Sequence, residues 1–417
     1  MASDAYAALR IPDYRRFLSM RLLMTLSIQI MSVSVGYFIF ELTNDPLAIG
    51  MIGLSEAIPA IVVSLWAGHL ADKYNRRNLL LFCIGLFVFC AFALFGLILS
   101  RDFLEKNLLI AGIYGVIFIT GIARGFFSPT NFALLPQLVP PQVLPNALTW
   151  NSSTWEAASI TGLGIGGLLY GFLGVSTAFG VMSALCLAAF LVAMRIKPRP
   201  VPAFDRQESA LQRIAEGLSF VFRNKLILSA IALDLFAVLF GGAVAMLPVY
   251  AKDILKVGPQ GMGVLRAAMS IGAISMAFFI AHRPLGKGSG KIMLACVAGF
   301  GLCIIGFGLS RSFWLSFFLL LLAGMFDEVS VYIRGSIIQL LTPERMKGRV
   351  SSVNSIFITS SNELGSFESG VAARAFGNVY SVVFGGCMTL LITGLAWWLS
   401  PPLRKLDVST LKEAEQA

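Results

Sequence analysis

Apolar residues along this chain fall in long, almost unbroken runs, separated by short breaks rich in charge, proline or glycine. Cutting at those breaks predicts twelve helices, near residues 17–40, 47–71, 78–100, 108–128, 147–170, 174–194, 226–250, 262–282, 291–310, 313–341, 350–373 and 378–400. Each is long enough to cross a hydrocarbon layer about 30 Å thick at a rise of about 1.5 Å per residue. The short alternating segments of a membrane β-barrel do not dominate. The pattern therefore predicts an all-α membrane protein that crosses the bilayer many times.

Composition agrees, since 57% of the 417 residues are hydrophobic and only 13% are charged, against about 25% charged in soluble domains. The formal charge of +10 would suggest nucleic acid as a partner of a soluble protein. Here its distribution points to the bilayer instead: alternate connections hold 22 Lys and Arg on one side and 6 on the other. Basic loops stay in the cytoplasm, so both termini are expected there. The first apolar run follows Arg15 and Arg16 as a signal peptide would, but it is long and lacks a small-residue cleavage pattern, and reads as a retained span. The six cysteines lie inside apolar runs with no C-x-x-C pair and read as small buried hydrophobes.

The longest polar stretch, Arg195 to Lys225, contains Leu211, Ile214, Leu218, Val221 and Phe222 at helical spacing, and predicts a linker with an amphipathic helix lying along the membrane. It divides the chain into residues 1–194, a linker over 195–225, and residues 226–417, with six spans on either side. The halves share weak internal similarity. "QLVPPQVLPNALTWNSS" at 137–153 parallels "QLLTPERMKGRVSSVNS" at 339–355, and Gly50 and His69 recur as Gly263 and His282 at one offset. Paired halves with a solute cavity are a recurring plan of transporters.

"GHLADKYNRR", Gly68 to Arg77, resembles the loop 2–3 signature of the major facilitator superfamily, matched at Gly68, Leu70, Ala71, Asp72, Lys73, Arg76 and Arg77. Asn75 stands where that signature has glycine, and Asn tolerates positive φ, so a left-handed turn is expected to survive there. "LTNDPLAIGMIGLSEAIPAIV", "ARGFFSPTNFALLPQLVP" and "LTPERMKGRVSSVNS" resemble the branch containing enterobactin-type siderophore exporters and macrolide efflux proteins. The resemblance implies the major facilitator fold, with 12 transmembrane helices in two pseudo-symmetric six-helix bundles. "ASITGLGIGG" resembles the antiporter signature of span 5 through Gly162, Gly166 and Gly167, with Ala158 and Leu163 replacing its first glycine and its proline. Those small residues are expected to pack helices closely.

The basic residues of the 68–77 loop could serve topology alone. Asp72 is not needed for that, and a carboxylate there could face a helix N-terminus or pair with an arginine. The resemblance implies that Gly68, Asp72, Lys73, Arg76 and Arg77 gate the cytoplasmic side. In the corresponding stretch of the second half, "AHRPLGKGSGK", the aspartate is missing.

Eleven ionisable residues lie within the spans: Arg21, Arg124, Arg266, Arg334, Glu56, Glu156, Asp234, Asp327, Glu328, Glu363 and Glu368. Each would cost about 2.5 kcal/mol or more facing lipid at the bilayer centre, so they must face one another, protein or water. Burial disfavours the ionised form of a carboxyl group, which suits Asp234, Glu56, Glu363 and Glu156 to carrying a proton, with Asp234 foremost because the resembled fold lines its cavity with spans 1, 4, 7 and 10. Structural pairing is the alternative for each. Gln29, Ser32, Arg124, Trp155, Asp327, Glu328 and Asn362 are candidates for contact with a solute, against the alternative of helix packing and interfacial anchoring.

Together these features point to a secondary transporter, with a small-molecule substrate, protons and the lipid bilayer as its partners, no cofactor or metal, no nucleic acid, and the monomer as the expected unit. Export of a bulky amphipathic solute such as a siderophore, macrolide or other drug by proton antiport leads. Lysophospholipid or lipid transport, uptake by symport, and a receptor or scaffold remain as alternatives. No H-E-x-x-H, G-x-S-x-G or Walker loop is present, so enzymatic function is not expected. The topology is checked by impermeant maleimide labelling in a cysteine-free background. Asp102→Cys should react from outside intact cells, and Arg10→Cys only after permeabilisation.

Overall fold

The computed structural model describes residues 6–199, 210–282, 288–343 and 346–407 and, within them, all side chains but those of 65–73, 145, 210–214, 243, 281, 348, 352, 355 and 359. Six long helices precede the linker: α1 (Pro12–Thr43), α2 (Pro46–Lys73), α3 (Arg76–Leu99), α4 (Lys106–Leu138), α5 (Leu144–Leu173) and α6 (Val175–Met194). The linker helix is α7 (Ala210–Arg223), and after it come α8 (Lys225–Phe240), α9 (Gly258–His282), α10 (Ser289–Leu309), α11 (Phe313–Leu341), α12 (Lys347–Phe376) and α13 (Asn378–Leu399). Among the described residues eleven helical stretches are long and apolar enough to cross a membrane. The twelfth expected crossing is α12, whose 30 residues reach about 45 Å but carry Asn354, Ser361, Asn362, Glu363 and Glu368.

Local chemistry explains where the helices begin and end. Asn44 takes a left-handed φ of 49°, Asp45 Oδ1 accepts from Leu47 N–H at 3.0 Å, and Pro46 opens α2, a position where its missing N–H costs nothing. Asn75 departs from expectation. Its φ of −61° and ψ of 116° are extended, and its side chain accepts from the N–H groups of Arg77 and Asn78. The residue that replaces glycine is the N-cap of α3, and no left-handed turn is needed. Span 4 runs about ten residues further than its hydrophobic pattern, through Pro129 and Pro136 to Leu138.

The chain forms two compact units, residues 1–42 with 55–210, and residues 43–54 with 211–417. In the first, α3 packs against α4 and α6, and α5 against α6. In the second, α11 packs against α9 and α10, α13 against α10, and α8 against α12 and α13. The start of α2 clusters with the second unit, where a Cβ on Gly50 would lie 2.9 Å from the Phe367 backbone and Asp45 faces Arg374 at 3.6 Å. Val221 of α7 is buried, while Leu218 and Phe222 on the same helix are exposed. Leu211 and Ile214 lie outside the described side chains. Four cysteines are buried, but Cys296 is half-buried and Cys387 exposed, so the last two are not the interior hydrophobes expected.

One joint recurs in both units. Gly174 links α5 to α6 at φ 84°, ψ 167°, and Gly377 links α12 to α13 at φ 90°, ψ 155°. An L-residue is strained in that region by about 1–3 kcal/mol, so a single glycine makes each sharp reversal between consecutive spans. Gly174→Ala and Gly377→Ala should each lower thermal stability by about that amount, measured by scanning fluorimetry on the purified protein. Gly394→Ala, with nothing within 4 Å of the added carbon, should have no effect.

Candidate functional site

The core between α8, α10 and α11 in the second unit is largely aliphatic, and a pair of charges lies within it. Ile227, Ile231 and Leu233 of α8, Met293, Leu294 and Val297 of α10, and Val329, Ile333 and Ile337 of α11 form a continuous buried cluster. Within it Asp234 and Arg334 are 6% and 5% exposed, and Arg334 Nη1 donates to Asp234 Oδ2 in a direct ion pair. Two charges removed from water are tolerable only as partners, and either left alone would be costly. Asp327 lies seven residues before Arg334, nearly two turns along the same face of α11. With Asp234, Ala237, Val238, Val297, Phe300, Phe326 and Ser330 it lines a cavity of which about 10 Å³ is open to the centre of a water molecule.

Beyond this cavity the seventh crossing breaks. The α8 helix stops at Gly241, followed by a 3-10 turn over Ala243–Met246, a short turn over Leu247–Val249 and a π-turn over Tyr250–Ile254. Carbonyls freed at the break take side-chain donors: Arg266 Nη1 reaches Val244 O at 3.2 Å and Ser369 Oγ reaches Gly242 O at 3.4 Å. Tyr250 stacks on Phe307 with ring centroids 4.5 Å apart, and its hydroxyl donates to Gly308 O at 2.8 Å. In membranes irregular backbone is tolerated where protein or a cavity satisfies it, and broken spans commonly border transport sites.

The other acids within the spans have different settings. In the first unit Glu56 Oε1 lies 3.0 Å from Arg124 Nη1, so these two expected site residues are brought together. Glu363 of α12 packs against α2, its Oε2 2.8 Å from where a Cβ on Gly53 would stand. Glu156 and Trp155 are exposed on α5, and Glu328 is half-buried. Gln29 is half-buried and Ser32 exposed on α1, while Asn362 is exposed and donates to Ile358 O at 2.8 Å. Gly162 and Gly166 bring α5 onto α1: an added Cβ would stand 2.8 Å from Gln29 Cβ and 3.0 Å from Ile30 Cα respectively. Gly167 beside them is buried.

The Gly68–Arg77 stretch is less free than a bare loop. Arg76 Nη1 donates to Ala133 O at 2.9 Å. Arg77 donates to Ile196 O at 3.0 Å and Met194 O at 2.7 Å, where its charge meets the negative end of α6. Both arginines therefore bind carbonyls of their own unit. Gly68, Asp72 and Lys73 lie in α2, with their side chains outside the described residues.

Residues 3–416 match the family described as transmembrane secretion effector. The chain belongs to this family of major facilitator transporters. It is 25% identical to the enterobactin exporter EntS of Escherichia coli O1:K1 over 346 residues, covering 82% of this chain and 80% of that protein. The figures are the same for the enterobactin exporter EntS of Shigella boydii serotype 18. Among solved structures it resembles a D-xylose-proton symporter, with TM-score 0.73 and 14% identity over 96% of this chain and all of the other. It also resembles a bacterial homologue of the iron transporter ferroportin, with TM-score 0.70 and 16% identity over 95% of this chain and all of the other. At such identities the two structures establish the fold alone.

Three features of this major facilitator transporter carry no sequence signal beyond isolated polar residues. Asp13, 6% exposed, binds Arg16 at 2.9 Å and Arg199 at 3.0 Å, tying α1 to the segment after α6. Glu41 accepts from the Tyr170 hydroxyl at 2.6 Å. Arg266 spans the break after α8. Apart from the neighbouring Asp13–Arg16 contact, each pairing joins residues separated in sequence, so only tertiary proximity reveals it.

Replacing Asp234 by Asn should destabilise the transporter by about 3–5 kcal/mol by stranding Arg334. The double replacement Asp234→Asn with Arg334→Leu should recover much of that loss, read from thermal unfolding. Glu56→Gln should cost less, because Arg124 is 39% exposed and can reach water.

Proposed function

We propose that the transporter exports a bulky amphipathic solute, of the siderophore or macrolide kind, from the cytoplasm of a bacterium in exchange for entering protons. The observation that carries this reading is the likeness to the enterobactin exporter along 82% of the chain. The coupling part is supported by the acids held within the spans, above all Asp234 with its arginine partner at the border of a broken helix. Solute contacts are assigned to Gln29, Ser32, Arg124, Trp155, Asp327, Glu328 and Asn362, which come from five different helices.

In this reading the two bundles alternate in opening to either side, as one monomer in the inner membrane with both ends cytoplasmic. Gating at the cytoplasmic face is assigned to Gly68, Asp72, Lys73, Arg76 and Arg77, the two arginines bracing the loop against carbonyls while Asp72 makes and breaks the latch. Glu56, Glu363 and Glu156 are secondary sites for the proton.

Expression in a bacterial strain lacking its own siderophore and drug exporters should restore secretion of a catecholate siderophore or raise the tolerated macrolide concentration several-fold. The gain should vanish with a protonophore. Inside-out vesicles loaded with acid should accumulate the solute. Accumulation in right-side-out vesicles under an inward proton gradient would instead establish uptake by symport.

A further inference from the structure

We propose that the cavity between α8, α10 and α11 is a binding site for one small monovalent cation, a proton or sodium, held by Asp327 and the Ser330 hydroxyl beside the Asp234–Arg334 pair. The charge balance requires an occupant. Arg334 is committed to Asp234, and the cavity wall given by α10 consists of Val297 and Phe300. The charged groups acting on Asp327 are Asp234, which repels its negative charge, and Arg334, which attracts it. Asp327 is half-buried at the edge of the apolar cluster, and two carboxylates against one guanidinium leave a single negative charge there, a state that one positive charge joining it relieves.

A second observation points the same way. Ser330, one turn after Asp327 on the same face of α11, is 2% exposed, lines the cavity, and its oxygen has no hydrogen-bond partner among the described residues. Buried hydroxyls are ordinarily satisfied, so this one is presented to whatever fills the space. The space fits one particle the size of a water molecule, suiting hydronium or sodium. Two acids and one hydroxyl, with an arginine alongside, also supply too little negative charge for a divalent metal. Among the described residues no three His, Cys, Asp or Glu gather into a metal site.

Ala237 and Val238 of the same cavity form the last turn before α8 breaks at Gly241. Loss of the cation would leave a bare charge next to that break, and gain would neutralise it, which gives occupancy a mechanical outlet. The use of this outlet to drive transport rests on the export reading above, whereas occupancy of the site does not.

The test uses the purified full-length protein with no transported solute, so its outcome is independent of whether export is right. One arm compares the unfolding midpoint in sodium and in N-methylglucamine chloride at equal ionic strength. The other follows the carbonyl stretch of neutral carboxylic acid by infrared spectroscopy across a pH titration. Both are run on the wild type, Asp327→Asn, Ser330→Ala and the surface control Asp102→Asn. Asp327→Asn and Ser330→Ala leave the buried ion pair intact, and Ser330→Ala serves if Asp327→Asn fails to fold.

A sodium-dependent rise in midpoint that Asp327→Asn abolishes, and that needs roughly tenfold more sodium in Ser330→Ala, supports sodium as the occupant. A titrating carboxylic-acid band lost in Asp327→Asn, shifted in Ser330→Ala and unchanged in Asp102→Asn supports the proton. If neither signal occurs, or if the signals persist unchanged in both cavity variants, the cavity holds only water and the proposal is overturned.

Discussion

A charge inside an apolar interior must find a partner, and the second unit of this transporter is organised around that obligation. Asp234 and Arg334 sit where α8, α10 and α11 bury their aliphatic side chains, and neither could remain ionised there without the other. Such a pair adds little net stability compared with well-packed hydrophobes, because desolvation consumes most of the attraction. What it supplies is specificity. Helix positions that would satisfy the aliphatic residues alone are excluded unless they also bring the guanidinium to the carboxylate, so the register of α8 against α11 is determined.

The same economy of polar groups governs the backbone. A span interrupted at Gly241 and Gly242 exposes carbonyls that lipid could not satisfy. Here the donors come from Arg266 on α9 and Ser369 on α12, and Tyr250 anchors the continuation to the end of α10. The break is thus supported from three helices of its own unit, and it lies within two turns of the buried charges. In a family of secretion transporters this is the region of the unit where a change of charge and a change of backbone direction are closest together.

At the end of the first unit that carries the 68–77 loop, charge is used as clamp. Arg77 binds the last carbonyl of α6 and one just beyond it, Arg76 binds a carbonyl of α4, and Asp13 gathers Arg16 and Arg199. Residues that a positive-inside count treats as equivalent tokens have distinct partners, and the arginines of the loop signature act as a structural brace. Asn75 shows the same substitution of roles: where the resembled signature uses glycine to turn, this chain uses an amide to cap a helix.

The chain's own order of residues settled the class, the approximate positions of the spans and the family. These follow from local quantities: runs of apolar side chains, breaks in them, and contiguous motifs such as "GHLADKYNRR". The sharp reversals at Gly174 and Gly377 were only implicit, since a glycine between two spans looks the same whether or not it adopts positive φ. The break in the seventh span, the partners of Asp234, Glu56 and Asp13, the N-cap role of Asn75 and the cavity with its unpartnered Ser330 hydroxyl were decided by tertiary structure alone. Ion pairs and cavities depend on which faces of distant helices meet, and hydrophobic periodicity is nearly uninformative about that in a chain where every face of a span is apolar.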